Sequence, residues 1–266
     1  MSIEVLREKL VQAKKENKLP KLVVPVHFSG QSCEMKDIWE LSKEYGFKVI
    51  EDASHALGGE YKNKKVGCCE YSHITVFSFH PVKMITTGEG GAITTNDKDL
   101  DEKIKLLRSH GIIRNKEKFK NNNDGDWYYE QQVLGFNYRL SDIQAALGIS
   151  QLKRLDSFVL RRREIAKRYF DELNNSVLPF QHLDTNSSWH LFVIKIKDRK
   201  EVFRKLKKQG IITQVHYIPI NKQPFYDNKK IENSDNFYQY CLSLPIYVDL
   251  TKNNQTKVIE NVLRYI

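Results

Sequence analysis

No apolar run in this chain approaches the roughly 20 residues of a membrane-spanning helix, so no membrane partner is expected. Cysteine is scarce. Cys33, Cys68, Cys69 and Cys241 have neither metal-site nor disulfide-framework spacing, which points away from a bound metal and towards a reducing, cytoplasmic setting. The opening residues Met1 to Glu8 carry two acids and no apolar block, and are not read as a secretory signal. Internal repeats and low-complexity tracts are absent, which argues against solenoids and disordered linkers. Acid is the minority charge: 33 Asp and Glu stand against 43 Lys and Arg, a net +10. Such an excess suits nucleic acid, an anionic membrane surface or a phosphorylated small molecule. The basic residues are spread along the whole chain, however. Their densest cluster, Arg161-Arg162-Arg163, sits in an expected helix beside Glu164, and no nucleic-acid motif accompanies it. A Lys-rich solvated surface is the favoured reading, with no nucleic-acid partner.

What is present is a sizeable core. The hydrophobic fraction is 40% and aromatics make up 11% of 266 residues, enough for one large domain or two modest ones. Residues 1–18 carry an apolar stripe of Ile3, Leu6, Leu10 and Val11, which predicts a helix stopped by Pro20. Leu22 to Val26 reads as a buried strand. Met35 to Tyr45 returns to helical spacing and ends at Gly46. Further strands are expected at Phe47 to Ile50, Ile74 to Phe79 and Ala92 to Thr95, and a helix at Asp97 to His110. This alternation predicts an α/β fold with a mainly parallel sheet. Asn121 to Asp126 reads as a turn-rich loop. Ser141 and Gln144 form a capping box that opens a long helical region reaching Leu173. Strands at Trp189 to Ile196 and Ile211 to Val215, with helices at Arg199 to Gln209 and Gln255 to Tyr265, suggest a smaller α+β unit. The expected division is a large domain over 1–165 and a small C-terminal domain over 166–266.

The chemistry centres on an acid and a lysine. Asp52 ends an apolar strand, the place where open α/β sheets present ligands. Lys83 follows another strand and precedes Thr86-Thr87-Gly88-Glu89-Gly90-Gly91, where glycines let the backbone turn closely beside a ligand. A lysine able to form a Schiff base and an acid able to hold a pyridine nitrogen protonated suit pyridoxal phosphate. A structural ion pair is the commoner use of such residues.

Longer motifs carry the reading further. They are Glu51-Asp52-Ala53-Ser54-His55-Ala56-Leu57-Gly58-Gly59, Ser78-Phe79-His80-Pro81-Val82-Lys83, Gly88-Glu89-Gly90-Gly91, the run from Gly135 to Ala146, His216-Tyr217-Ile218-Pro219 and Cys241 to Tyr247. In this order they resemble the DegT/StrS family of pyridoxal-phosphate-dependent sugar-nucleotide aminotransferases. Val24 to Gly30 and Ser54-His55 are most similar to the branch that makes the C4 amine of a pseudaminic-acid precursor. The resemblance implies the fold-type-I aminotransferase architecture and a homodimer with shared active sites. It implies pyridoxal 5'-phosphate as cofactor, a nucleotide-linked 4-keto deoxysugar as substrate and an amino-acid donor, L-glutamate by family habit. Lys83 is implied as the Schiff-base lysine and proton shuttle, and Asp52 as the partner of the ring nitrogen. His55 stands where the family contacts the ring hydroxyl, often with Gln. Ser78 is implied to bond the phosphate, and Asn137 the phosphate bound by the partner subunit. His216 and Tyr217 lie where the family approaches the sugar nucleotide. Simpler roles are a strand end for Ser78, a helix cap for Asn137, and packing for His27 and His80.

Against the family pattern the chain starts late. Roughly 100 residues, a small domain's worth, are expected ahead of Met1, including a phosphate-binding turn and an aromatic that stacks on the cofactor. Two alternatives to transamination accompany this reading: a catalytically inactive piece that only dimerises with a relative, and a relative of the sugar dehydratases. Those enzymes carry His in place of the lysine, so the presence of Lys83 favours transamination.

Overall fold

A computed structural model describes residues 1–121, 124–226 and 229–266. Asn122 and Asn123, within the turn-rich loop expected at 121–126, lie outside the described residues. In chain order the elements are α1 (Ile3–Lys15), β1 (Leu22–Val23), α2 (Met35–Tyr45), β2 (Lys48–Asp52), β3 (Glu60–Tyr61), β4 (Lys64–Lys65), β5 (Ile74–Ser78), β6 (Gly91–Thr94), α3 (Lys98–Arg108), β7 (Ile112–Ile113), β8 (Glu130–Gln131), α4 (Asp142–Leu152), α5 (Leu155–Glu172), β9 (Thr185–Asn186), β10 (Phe192–Lys195), α6 (Arg199–Lys208), α7 (Glu232–Tyr240), β11 (Cys241–Leu244) and α8 (Lys252–Tyr265). They fall into two compact units. Unit 1 holds Met1–Pro25, Glu34–Glu51 and Gly67–Leu152; unit 2 holds Val26–Cys33, Asp52–Val66 and Lys153–Ile266. Among the described residues no helix is long and apolar enough to cross a membrane.

Unit 1 is built on a four-stranded sheet of order β1-β2-β5-β6. β1 and β2 are parallel, with Leu22 opposite Lys48, and β6 returns antiparallel to β5, with Ser78 opposite Gly91. Local sequence explains the flanking helices. In α2, Ile38 and Leu41 recur three apart and are fully buried, as is Leu10 of α1, while the charged residues between them face water. Gly46 then ends α2 at φ +78°, a left-handed cap that a side chain would strain. Asp97 opens α3 by accepting the N–H groups of Asp99 and Leu100, and Lys105 and Arg108 sit at its C-terminal turn, both favourable to the helix dipole.

Unit 2 packs α5, α6 and α8 around the antiparallel β10–β11 pair, in which Phe192 faces Leu244. Its core joins Ile165 and Tyr169, Phe192 and Ile194, Val202 and Leu206, Leu242, and Val258 and Val262. Each such apolar side chain contributes about 1.5–3 kcal/mol through burial. Tyr169 lies with its ring 4.8 Å from Phe192, and its hydroxyl donates to the Pro245 carbonyl at 2.8 Å, so its polar end is satisfied. Arg162 is buried in the same region. Its Nη1 donates to the carbonyls of Trp189, His190 and Ile246 at 3.0–3.2 Å, tying α5 to the backbone on either side. Burial pulls this guanidinium down to about 10, which still leaves it charged at neutral pH.

The helical region expected from Ser141 to Leu173 is two helices, α4 and α5, broken between Leu152 and Leu155. The strand expected at Ile211 to Val215 is reduced to one antiparallel bridge between Gln214 and Ser243.

Candidate active site

In unit 2 the residues around Asp52 form one set. A parallel bridge joins Asp52 to Val26, and the Asp52 carbonyl accepts the His27 N–H at 3.0 Å. Asp52 Oδ1 accepts the Ser54 N–H at 3.0 Å, which fixes the half-buried carboxylate against the turn that follows. Oδ2 has no hydrogen-bond partner among the described residues. An anion held by one oxygen and open at the other matches what a protonated heteroaromatic nitrogen needs, so this donor set fits a pyridinium ring.

His55 follows three residues later and is only 7% exposed. Its Nδ1 accepts the Ser29 backbone N–H at 3.4 Å, and its Nε2 lies 3.2 Å from the Tyr217 hydroxyl. The ring packs between Phe28, at 5.9 Å, and His190, at 4.4 Å. Ser29 reaches this position at φ +63°, a left-handed conformation that costs about 1 kcal/mol or more for a residue with a Cβ. Next to it Gly30 is obligatory: a Cβ there would stand 2.5 Å from Ser188 Oγ and 2.9 Å from the Trp189 nitrogen. The Ser188 hydroxyl in turn donates to the His55 carbonyl at 3.1 Å. The 26–33 segment, the Asp52–His55 turn and the 187–190 segment are thus locked together. His216 is held differently, with Nδ1 2.7 Å from Ser243 Oγ on β11. Tyr217 is largely exposed, and burial of its inner part raises its phenol above the ordinary tyrosine range. His27 is fully buried and accepts the Cys33 N–H at 3.2 Å, in line with a packing role.

In unit 1 Ser78 and Lys83 share the connection between β5 and β6. Ser78 ends β5 and its hydroxyl accepts the His80 N–H at 3.4 Å. Lys83 is half-buried in a turn closed by its own N–H to the His80 carbonyl at 2.9 Å. The loop is tied to itself. Thr87 N–H and Thr86 Oγ1 both donate to the Phe79 carbonyl, and Thr86 Oγ1 accepts the Gly88 N–H. Gly90 leaves room for this folding, since a Cβ would lie 2.3 Å from Thr87 Oγ1. The capping box at α4 completes the tether. Gln144 Oε1 accepts the Ser141 N–H at 3.0 Å while Nε2 donates to the Glu89 carbonyl at 2.8 Å. His80, exposed, has Nε2 3.9 Å from Glu89.

Asn137 lies on a separate segment of unit 1, bridged antiparallel to Ser109 just past α3. Ser141, not Asn137, caps α4. The exposed Asn137 is flanked in sequence by many exposed apolar side chains. Leu134 is 86% and Ile143 84% exposed, and Phe136, Tyr138, Ile149 and Leu152 are also open to solvent. No residue of α4 is buried.

Sequence reasoning named His55 and Tyr217 separately and missed that they touch. It also missed Phe28, Ser29 and His190 around them and the second bond of Gln144. Phe28, Ser29 and Gly30 all lie in the Val24 to Gly30 motif, but nothing in its spacing tells which distant residues they meet.

The sequence profile of the DegT/DnrJ/EryC1/StrS aminotransferase family matches residues 4–263. The chain is 43% identical over 237 residues to a UDP-4-amino-4,6-dideoxy-N-acetyl-beta-L-altrosamine transaminase of Campylobacter jejuni, covering 85% of this chain and 60% of that relative. Among solved structures it superposes on Helicobacter pylori PseC, an aminotransferase of pseudoaminic acid biosynthesis. The TM-score is 0.83 and the identity 36%, over 93% of this chain and 67% of that one. A sugar aminotransferase described as putative from Streptococcus pneumoniae, solved in a PLP form, matches with TM-score 0.78 and 26% identity over 90% of this chain and 67% of that one. The chain thus spans about two thirds of the length of the proteins it matches. It belongs to the DegT/DnrJ/EryC1/StrS aminotransferase family.

Proposed function

We propose that this chain transfers an amino group, with pyridoxal 5'-phosphate as cofactor, to the 4-keto group of a nucleotide-linked deoxysugar. The product class is that of UDP-4-amino-4,6-dideoxy-N-acetyl-altrosamine, and L-glutamate is the proposed donor. The observation that carries this reading is the 43% identity to a transaminase of that substrate class. When bound, the cofactor supplies an electron sink beside the carbon whose nitrogen is exchanged.

The chain's own residues do the rest. Lys83 would hold the cofactor through its Nζ, and the same amine carries the proton that leaves and rejoins the substrate carbon. Asp52 Oδ2 would accept the ring N–H and so keep that nitrogen protonated. Ser78, at the end of β5, would donate to the phosphate, and Asn137 of the partner subunit would reach the same group. His55 would sit on the ring-hydroxyl side. His216 and Tyr217 would approach the nucleotide sugar, with His216 steadied by Ser243.

Further parts of the reading concern assembly and setting. The exposed apolar surface from Leu134 to Leu152 is the proposed homodimer contact, since burying it removes large apolar area from water. The proposed organisation is a pyridoxal-phosphate-binding domain over 1–165 and a small domain over 166–266, working in the cytoplasm.

The test follows the nitrogen atom. The purified protein is incubated with pyridoxal phosphate, 15N-glutamate and a UDP-linked 4-keto-6-deoxy-N-acetylhexosamine, and the sugar is examined by mass spectrometry. The expected result is 15N in the sugar from the parent protein and none from Lys83→Ala. Unlabelled sugar from folded, cofactor-bound protein would reject the reading.

A further inference from the structure

We infer, resting on the cofactor reading above, that Thr87 is a positioning residue for Lys83 and that its seat is Gly148, the one position of α4 without a side chain. Phe79 and Thr87 close the loop that holds the lysine. The Thr87 N–H donates to the Phe79 carbonyl at 3.0 Å, and the Phe79 N–H donates to the Gly90 carbonyl at 2.8 Å. Lys83 stands midway between Phe79 and Thr87. On its N-terminal side His80, Pro81 and Val82 are exposed, whereas Met84, Ile85 and Thr87 on the other side are buried. The packing that places Lys83 therefore comes from the arm that ends at Thr87.

Both branches of the Thr87 side chain are used. Its Oγ1 donates to the Glu89 carbonyl at 2.7 Å, and the same carbonyl accepts Gln144 Nε2 of α4 at 2.8 Å. One acceptor thus joins the loop to the helix. The Thr87 methyl lies over Gly148, where an added Cβ would stand 2.9 Å from Cγ2. α4 turns the matching side to the loop: Gln144, Ala145, Gly148 and Gln151 are half-buried at helical spacing, while Ile143, Ala146, Leu147 and Ile149 are exposed. Packed groups shift rather than compress, so a methyl added at Gly148 displaces Thr87, and the buried Ile85 and Met84 carry the shift to Lys83.

Two measurements on the intact chain test this. Amide exchange of the cofactor-free protein reads the loop itself. Gly148→Ala should leave the melting temperature at or above that of the parent, because alanine favours a helix, yet speed exchange at the Phe79 and Thr87 N–H groups. Adding Thr87→Ser, which keeps the hydroxyl and removes the methyl, should restore the protection. Unchanged exchange in Gly148→Ala, or no restoration in the double variant, would overturn the inference. Borohydride trapping with pyridoxal phosphate then reads the lysine. Gly148→Ala should form the Lys83 adduct about ten-fold more slowly than the parent, and the double variant within about two-fold of it. Thr87→Ala, which loses both contacts and leaves α4 unaltered, should also be slowed about ten-fold. A parent-like rate in Thr87→Ala would overturn the inference and leave the cofactor reading standing. A parent protein that forms no Lys83 adduct would overturn the cofactor reading and the positioning role with it.

Discussion

The side chain of Gln144 donates to the backbone carbonyl of Glu89 at 2.8 Å, so the helix that opens at Ser141 also anchors the loop carrying Lys83. One glutamine thereby serves as a cap and as a tether. The two roles separate by substitution. Gln144→Glu keeps the acceptor for Ser141 but has no donor for Glu89. It should leave the melting temperature within a degree or two while speeding amide exchange in residues 86–91. Gln144→Ala should lose both contacts and about 1 kcal/mol. Unchanged exchange in Gln144→Glu would show that the tether does not hold the loop.

The carboxylate of Glu130 organises the segment before it. Glu130 accepts the N–H groups of Lys120 and Asn121, each at 2.7 Å, with the Tyr128 hydroxyl and Gln132 alongside. Burial alone would raise this acid. The backbone donors outweigh it and hold Glu130 below the usual carboxylate value of 4.5. A depressed folded value means the contribution is complete above 4.5 and fades as pH falls through the lower folded value. Exchange protection at Lys120 and Asn121 should therefore drop on acidification below about pH 4.5, ahead of the β10–β11 pair, and Glu130→Gln should show the looser state at pH 7. Pair and loop losing protection together would contradict this.

Arg162, buried, holds three backbone carbonyls through one guanidinium nitrogen. Removing it leaves buried acceptors unpaired. Arg162→Ala should destabilise unit 2 by about 3–5 kcal/mol, measured by denaturant titration. The neighbouring Arg163 is itself only half-buried and bonds the Ser187 carbonyl and that of the exposed Asn186, so the same change there should cost about 1 kcal/mol or less. Similar losses at both positions would refute the distinction.

The apolar surface of α4 predicts association. Light scattering should find dimers for the parent protein, and Ile143→Asp, at a position 84% exposed, should shift the population toward monomer without lowering the melting temperature of the monomer. A parent protein that is monomeric at all concentrations would contradict the proposed contact.

Much of this was legible in the sequence where the signal is local. The period of Ile38 and Leu41, stopped by Gly46, places α2, and the Ser141–Gln144 pair places the start of α4. The lost parts are those decided across distance. The break at Lys153–Arg154 carries no proline or glycine, so periodicity runs through it. The 211–215 segment is apolar enough for a strand, yet only Gln214 finds a partner, Ser243. α7, with polar residues over most of its length, has no stripe to announce it. At the site, family motifs marked His55 and Tyr217 individually. Their contact spans 162 positions and depends on Ser29 adopting a left-handed conformation, which no residue pattern specifies.

The central claim is that Lys83 is the residue that binds pyridoxal phosphate. The most direct measurement mixes the protein with pyridoxal phosphate, reduces it with borohydride and maps the modified peptide by mass spectrometry. One dominant phosphopyridoxyl adduct is expected, on Lys83, formed at stoichiometric cofactor and absent from Lys83→Ala. An adduct scattered over surface lysines, or its persistence at another single lysine in that variant, would contradict it.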